Sequence, residues 1–157
     1  MIKPSKIKPF LWFDTKAEEA ARFYTSVFRN SKMGRILRFP EGSPRPAGMV
    51  LTVEFELESQ PFVALNGGPE YQFTPAVSFC VDCEDQAEID YYWEKLTAGG
   101  GKPVACGWLK DRYGLCWQIV PKAWDAYYKD PERAARVMQA MMKMVKLDIA
   151  ALEAAAR

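Results

Sequence analysis

The chain has 157 residues, a length that favours one domain, or two small halves that share a core. Hydrophobic residues make up 49% of the chain and aromatic residues 13%, which is enough to build a packed interior. The net charge is +1, so no strong field attracts nucleic acid or an anionic membrane surface.

In the first part of the chain, the pattern of apolar and turn residues predicts one helix among several strands. Residues 7–14 are expected to form a strand that ends at Asp14, and residues 16–29 an amphipathic helix. The apolar face of this helix consists of Ala20, Phe23, Tyr24, Val27 and Phe28. A proline-rich hairpin loop is predicted at 41–48. Further strands are predicted at 34–40, 48–59 and 61–68.

The same order of elements then begins again. A helix is predicted at 84–100, where a double glycine stops it. Strands are predicted around it at 75–82, 102–111 and 114–121. Asp14 and Asp82 lie 68 residues apart, and the same offset aligns the two helices and, in the strand that follows each helix, Ile36 with Val104. This constant offset indicates an internal duplication; two unrelated βα units that happen to match are the alternative.

The chain changes character at residue 131. Residues 131–157 predict one helical segment, with Pro131 in its first turn. An apolar stripe along it contains Val137, Met141, Met144, Val145, Ile149 and Leu152. We expect this stripe to pack on the domain or on a second subunit; a methionine-lined groove for peptides is the alternative.

Cellular location is predicted from two features of the sequence. The sequence contains no run of 18 apolar residues, the length that a bilayer-spanning helix requires. The N-terminal segment MIKPSKIKPF lacks the apolar core of a signal peptide. We therefore expect a cytoplasmic protein with neither a membrane nor a nucleic-acid partner. In a reducing cytosol, free thiols are expected at Cys80, Cys83, Cys106 and Cys116.

Histidine is absent from the sequence, which limits the chemistry of any site. Histidine is the commonest metal ligand and the usual acid–base group near neutral pH. A metal site here would need carboxylates or thiolates. A general base would be an Asp, Glu, Lys, Cys or Tyr with a shifted pKa, or a water molecule.

Four stretches together resemble a known family: PFLWFDTKAEEAARFYTSVF, FVALNGGPEYQFTPAVSFCVDC, GLCWQIVP and AMMKMVKLDIAALEAA. Two tandem βαββ(β) units that close with Asp111-x-x-Gly114-x-x-x-Gln118 resemble the glyoxalase/bleomycin-resistance/dioxygenase superfamily, also called vicinal oxygen chelate proteins. Within it, the chain is most similar to the PhnB-like group, which is also labelled 3-demethylubiquinone-9 3-methyltransferase-like.

This resemblance implies an α+β fold of two tandem βαβββ modules that form a curled mixed sheet cup. The modules would cover 1–70 and 71–124, with a C-terminal helical extension at 125–157, in one structural domain overall. The resemblance also implies a homodimer, with elements that can be swapped between chains. The methyltransferase label carries little weight, because the strand–helix junctions WFDTKAEEAA and VDCEDQAEID contain no glycine-rich turn.

Alternation along the strands predicts which side chains face the concave side of this cup. The predicted pocket residues are Lys8, Phe10, Trp12, Asn66, Ser78, Cys80, Trp108, Tyr113, Cys116 and Gln118. Their aromatic members suit a planar or apolar ligand through stacking. Ordinary core packing is the alternative for each of these rings.

Metal-binding members of the resembled superfamily place His or Glu at positions that match Lys8, Ala76 and Gln118. A cation, a methyl group and a neutral amide are a poor ligand set for zinc, iron or nickel. We therefore expect a pocket without metal or cofactor. In it, Gln118 either orients a polar ligand or simply pairs with the neighbouring backbone.

Three functions follow from these observations. The first, which we expect, is a PhnB-like protein that binds a small apolar or aromatic molecule. The second is a metal-free or atypical enzyme of the glyoxalase/dioxygenase or methyltransferase-labelled group, whose nucleophile would be Cys80 or Cys116 with a pKa lowered by Lys8. The third is a dimeric interaction module with no open pocket.

Overall fold

The computed structural model describes every residue from Met1 to Arg157 and divides the chain into two compact units. The first unit covers Met1–Gln72 and the second Phe73–Arg157, so the C-terminal helices group with the second sheet. Each unit contains a four-stranded mixed sheet, with one helix in the first unit and four in the second, and the predicted α+β class is confirmed. No helix combines the length and the apolar character that a membrane crossing requires.

The first unit is a βαβββ module. Its elements are β1 (Phe10–Phe13), α1 (Ala17–Val27), β2 (Ser31–Arg38), β3 (Val50–Leu57) and β4 (Gln60–Asn66). The strand order in its sheet is β1-β4-β3-β2, in which β1 and β4 are parallel and the other pairs antiparallel. The strands β1 and β2 therefore form the two edges of this sheet.

The core of the first unit forms between α1 and the sheet. The helix buries Ala17, Ala20, Ala21, Tyr24 and Val27, which recur at helical spacing. The Tyr24 ring lies 6.1 Å from that of Phe55, which lies 5.3 Å from that of Phe62. Burying one such side chain contributes about 1.5–3 kcal/mol, so these rings are a main source of stability in this unit.

The second unit begins with the same order of elements. These are β5 (Ser78–Cys83), α2 (Gln86–Thr97), β6 (Lys102–Pro103), β7 (Trp108–Lys110) and β8 (Cys116–Pro121), with the strand order β5-β8-β7-β6. The parallel pair is again the first and last strand of the module. Asp85 caps α2 by accepting a hydrogen bond from the Glu88 amide, and Glu88 Oε2 accepts one from the Glu84 amide.

The predicted strand at 102–111 is interrupted. The chain turns between β6 and β7, where Cys106 and Gly107 have φ angles of 57° and 83°. Their amides donate hydrogen bonds of 2.9 and 2.8 Å to the carbonyls of Met144 and Val145. This turn thus joins the C-terminal segment to the sheet, because the Gly107 carbonyl also accepts a 2.8 Å hydrogen bond from the Ile119 amide of β8.

Three helices follow β8: α3 (Trp124–Tyr127), α4 (Pro131–Met141) and α5 (Ile149–Ala156). The predicted C-terminal helical segment is present, but 131–157 is not one continuous helix, because the chain leaves α4 after Met141 and starts α5 with Asp148 as its cap. The core of this region contains Tyr127, Val137, Leu147 and Leu152. Val145, which the predicted stripe included, is 49% exposed.

Candidate functional site

A cavity of about 330 Å³ lies on the second unit, against the sheet face opposite α2. We call it the second-unit cavity, and its lining residues are Cys80, Asp82, Cys106, Trp108, Gln118, Val120, Lys122, Trp124, Asp125 and Met141. Its volume falls in the range typical of small-molecule sites.

Strand register brings three of the predicted pocket residues together. Cys80 pairs with Gln118 across the parallel ladder, and Trp108 pairs with Gln118 across the antiparallel one. Directly paired residues project to the same face of a sheet, so these side chains form one row across the cavity floor. The neighbours Trp117 and Ile119 point the other way and are buried.

The amide of Gln118 is held by a fourth predicted residue. Its Nε2 donates a 3.0 Å hydrogen bond to Ser78 Oγ, on the adjacent strand β5. This contact orients the side chain across the two parallel strands and uses one of its amide hydrogens.

Aromatic and apolar side chains from the C-terminal helices form another wall of the cavity. Trp124 opens α3, and its ring lies 5.9 Å from that of Tyr127 and 5.5 Å from that of Tyr128. Met141 is the last residue of α4. Both Trp124 and Met141 also pack against the core of the helical region, which fixes their positions relative to the sheet.

The charged groups of the cavity are two carboxylates and one ammonium. Asp82 lies on β5, Asp125 lies in α3, and Lys122 follows β8. The Lys122 Nζ lies 2.6 Å from Glu84 Oε1, and this hydrogen bond raises the pKa of the lysine. Neither Asp82 nor Asp125 forms an ion pair.

Three thiols of the second unit, those of Cys80, Cys83 and Cys116, have raised rather than lowered pKa values. Desolvation, and then the charge of Asp82, raise the pKa of Cys80. Burial also raises the pKa of Cys116, and burial together with nearby carboxylates raises that of Cys83 to about 12. These thiols therefore carry their protons at neutral pH, which disfavours the predicted thiolate nucleophile.

Four predicted pocket residues belong to the first unit. Phe10 is 56% exposed on β1, and Lys8 lines a separate cavity of about 180 Å³ with residues of the N-terminal segment. The Trp12 indole donates a 2.8 Å hydrogen bond to the Gly68 carbonyl, and its ring packs edge-on against Tyr71.

Asn66 lies in the core of the first unit, which corrects its prediction as a pocket residue. Its side-chain oxygen accepts a 2.9 Å hydrogen bond from the Ala17 amide, and its side-chain nitrogen donates a 3.0 Å bond to the Val50 carbonyl. Both polar atoms are thus used to join the start of α1 to the sheet, and the side chain is 2% exposed.

The remaining two predicted residues, Tyr113 and Cys116, do not line the cavity. Cys116 is 2% exposed at the start of β8. Tyr113 lies in the turn before it, where the buried Asp111 carboxylate accepts hydrogen bonds from the Tyr113 and Leu115 amides and from the Trp117 indole. The Asp-x-x-Gly part of the closing pattern therefore stabilises the turn that leads into β8.

The residues at the three positions that the resemblance assigns to metal ligands do not fit a metal ion. Lys8 offers an ammonium, Ala76 has no donor atom, and the Gln118 nitrogen is bonded to Ser78. No group of three or more Cys, Asp or Glu side chains is placed to hold an ion. A stable transition-metal site needs three or four such donors.

Seven lining residues were not predicted from the sequence: Asp82, Cys106, Val120, Lys122, Trp124, Asp125 and Met141. The period of two along β5 and β8 could have identified Asp82 and Val120, which continue the rows of Cys80 and Gln118. The contribution of Trp124 and Met141 depends on how the C-terminal helices pack, which no local pattern specifies.

Comparisons with known proteins identify the family of this chain. A family model described as 3-demethylubiquinone-9 3-methyltransferase matches residues 5–120. A solved structure, the putative 3-demethylubiquinone-9 3-methyltransferase and PhnB protein from Bacillus cereus, is 37% identical, with a TM-score of 0.67. That alignment covers 74% of this chain and 99% of the Bacillus protein.

A more distant structure shares the fold. The protein PA1353 from Pseudomonas aeruginosa is 20% identical, with a TM-score of 0.61, over 75% of this chain and 98% of its own. A glyoxalase/bleomycin resistance protein from Albidiferax ferrireducens matches with 10% identity and a TM-score of 0.48, over 71% of this chain and 93% of its own. No curated protein matches the chain.

The family model covers most of the sequence, and the Bacillus cereus protein aligns over nearly its whole length. The chain therefore belongs to the family described as 3-demethylubiquinone-9 3-methyltransferase, the PhnB-like group that its sequence resembles.

Proposed function

We propose that the protein binds a small aromatic molecule in the second-unit cavity, without a metal ion. The observation that carries this proposal is the placement of two indole rings, Trp108 and Trp124, in one cavity of about 330 Å³. Indole rings bind planar ligands by stacking, and the thioether of Met141 adds an adaptable apolar contact. An open cavity also favours binding over the alternative of an interaction module with a filled pocket.

Methyl transfer is not part of this proposal, although the family description names it. The turn between β1 and α1 and the turn between β5 and α2 contain no glycine, and each sheet has only one parallel pair of strands. A doubly wound parallel sheet with a glycine-rich first turn would instead suit a nucleotide-like methyl donor. These residues do not fit such a cofactor.

A thiolate enzyme is the weaker alternative. Cys80 lines the cavity, but its pKa is raised by desolvation and by Asp82, and no histidine is present to accept its proton. A nucleophilic cysteine needs the opposite surroundings, with a cation or a base beside the sulfur. Binding without a covalent step therefore agrees better with the surroundings of the thiol.

The protein is further proposed to act as a cytoplasmic homodimer. All four cysteines are free thiols, in agreement with a reducing compartment. Two large apolar side chains, Phe10 and Val77, are 56% and 63% exposed at the beginnings of the edge strands β1 and β5. Exposed apolar residues beside an unpaired strand edge are suited to contact a second chain.

Calorimetric titration with three naphthalene derivatives tests the binding proposal. The probes are trimethyl(2-naphthyl)ammonium, the uncharged N,N-dimethyl-2-naphthylamine and naphthalene-2-sulfonate, at pH 8. We expect at least one to bind with one-to-one stoichiometry, and Trp108→Leu to weaken it about tenfold, since a stacked aromatic pair contributes about 0.5–1.5 kcal/mol beyond area burial.

The matched control is Trp93→Leu, which removes an indole of α2 that does not line the cavity. This variant is expected to bind like the wild type. The proposal is wrong if none of the probes binds, or if Trp108→Leu, like the control Trp93→Leu, binds them as tightly as the unmodified protein.

A further inference from the structure

We propose that the ligand of the second-unit cavity is an organic cation that carries a planar aromatic ring, an inference that rests on the proposed function. The cavity combines two indole rings, Trp108 and Trp124, with two carboxylates, Asp82 and Asp125. An aromatic face attracts a cation through its quadrupole, and a nearby carboxylate attracts the same charge. Together they favour a ligand that is both flat and positively charged.

The single cationic side chain of the cavity does not balance these carboxylates. Lys122 Nζ lies 2.6 Å from Glu84 Oε1, and Glu84 does not line the cavity. The positive charge of the lysine is thus paired with a carboxylate outside, while Asp82 and Asp125 form no ion pair. An anionic ligand would have to compete with Glu84 for Lys122 and would face both aspartates.

Two titratable groups of the cavity respond to the charge of Asp82. After burial, that charge is a cause of the raised pKa of Cys80. The raised pKa of Lys122 has its hydrogen bond to Glu84 as the largest cause, with a smaller contribution from Asp82. A cationic ligand would be stabilised by this field, and an anionic one destabilised.

Solvent limits the size of the effect. Asp82 and Asp125 are exposed at the cavity, so their attraction for a cation is partly screened by water and salt. We therefore expect a preference of about tenfold for a cationic ligand over an uncharged one of the same shape, within the range of solvent-accessible cation–π and ion-pair contacts.

The same three naphthalene probes test this inference. They differ in charge while keeping one ring system, so their relative affinities measure the charge preference of the cavity. Trimethyl(2-naphthyl)ammonium is expected to bind about tenfold more tightly than N,N-dimethyl-2-naphthylamine in 50 mM NaCl, and naphthalene-2-sulfonate most weakly. In 500 mM NaCl the preference should decrease, because screening acts on the charge and not on stacking.

Asp82→Asn combined with Asp125→Asn removes both carboxylates with little change in shape. This double variant should reduce the preference to about threefold or less, while its affinity for the uncharged probe stays unchanged. Glu94→Gln, on the exposed face of α2, is the control for loss of a carboxylate elsewhere in the same unit and should keep the preference.

The possible results separate the two proposals. Equal or tighter binding of the uncharged or anionic probe overturns the cation inference while the binding function stands. A cation preference that survives in the double variant overturns the role assigned to Asp82 and Asp125, because the aspartates are then not its source. Failure of all three probes to bind overturns the binding function itself.

Discussion

Asp82 illustrates how one side chain of β5 sets the chemistry of its neighbours. Its Oδ1 lies 4.0 Å from the sulfur of Cys80, which projects to the same face two residues earlier. Its negative charge opposes ionisation of that thiol and of Cys83. The same carboxylate thus makes the cavity attractive to cations and keeps its exposed thiol protonated.

The reactivity of Cys80 tests this effect. Because its pKa is raised from 9.0, alkylation of Cys80 by iodoacetamide should be slow at pH 7 and reach its maximal rate only above pH 9. Asp82→Asn removes one cause of the shift, so its pH profile should move to lower pH and Cys80 should react faster at pH 8. Peptide mass spectrometry after timed alkylation measures the rate at each cysteine.

The control for this experiment is Glu94→Gln, which should leave the Cys80 profile in place. Buried Cys116 and Cys83 should stay largely unmodified in the folded protein and react only after unfolding in urea. Rapid alkylation of Cys80 at neutral pH, faster than that of the unfolded chain, would contradict the raised pKa and favour the thiolate enzyme.

Single residues of the site could be predicted where a strand alternates regularly. A period of two on β5, β7 and β8 predicts that Cys80, Trp108 and Gln118 share one face of the sheet, and the strand register pairs them there. Asn66 was misassigned because its polar side chain at a strand end has two possible partners, a ligand or a helix terminus. The start of α1, with four amides to satisfy, is the partner in the structure.

At the scale of elements, the C-terminal helices show where local pattern fails. Residues 142–148 contain neither glycine nor proline, so the apolar periodicity of 131–157 continues without a stop signal. Tertiary contacts break the helix instead. Asp148 caps α5, the carbonyls of Met144 and Val145 bond to the turn before β7, and Leu147 enters the core.

Gln86 joins this segment to α2. Its Oε1 accepts a 2.9 Å hydrogen bond from the Ile149 amide, and its Nε2 donates a 3.1 Å bond to the Leu147 carbonyl. Because both bonds are partly buried, Gln86→Ala should lower the free energy of unfolding by about 1–3 kcal/mol. Urea denaturation measures the loss, and hydrogen exchange should accelerate at the Ile149 amide.

Gln139→Ala provides the matched control, since Gln139 is exposed on α4 and alanine is compatible with a helix. It should change the free energy of unfolding by less than about 0.5 kcal/mol. Equal effects of the two variants, or unchanged exchange at Ile149, would show that Gln86 does not hold the segment in place.

At the scale of the whole molecule, the two units share an order of elements but not one constant spacing. The offset of 68 residues carries β1 and α1 onto β5 and α2, but it does not carry β4 onto β8. Phe10 and Ser78 are equivalent at this offset, whereas their strand partners, Val63 and Cys116, are not. The second unit has a shorter route from its helix to its last strand. The duplication predicted from the offset thus stays a prediction, while the fold could be predicted because both halves repeat the same sequence of strand and helix signals.

The proposed homodimer concerns the two edges of the first sheet, which differ in character. The edge strand β2 carries Lys32, Arg35 and Arg38 and contains register shifts, features that oppose pairing with another chain. The edge strand β1 has the uncharged sequence FLWF, with Phe10 exposed. Association through β1 is therefore favoured over association through β2.

Sedimentation equilibrium tests this choice of edge. We expect a dimer for the wild type, and Phe10→Lys should weaken association at least about tenfold, because it places a charge in a contact that depends on apolar burial. Leu37→Lys, at a similarly exposed position on β2, is the control and should remain dimeric. A monomeric wild type would refute the homodimer. If only Leu37→Lys produced a monomer, the dimer contact would lie on β2 instead of β1, because only the edge that carries the contact is sensitive to an added charge.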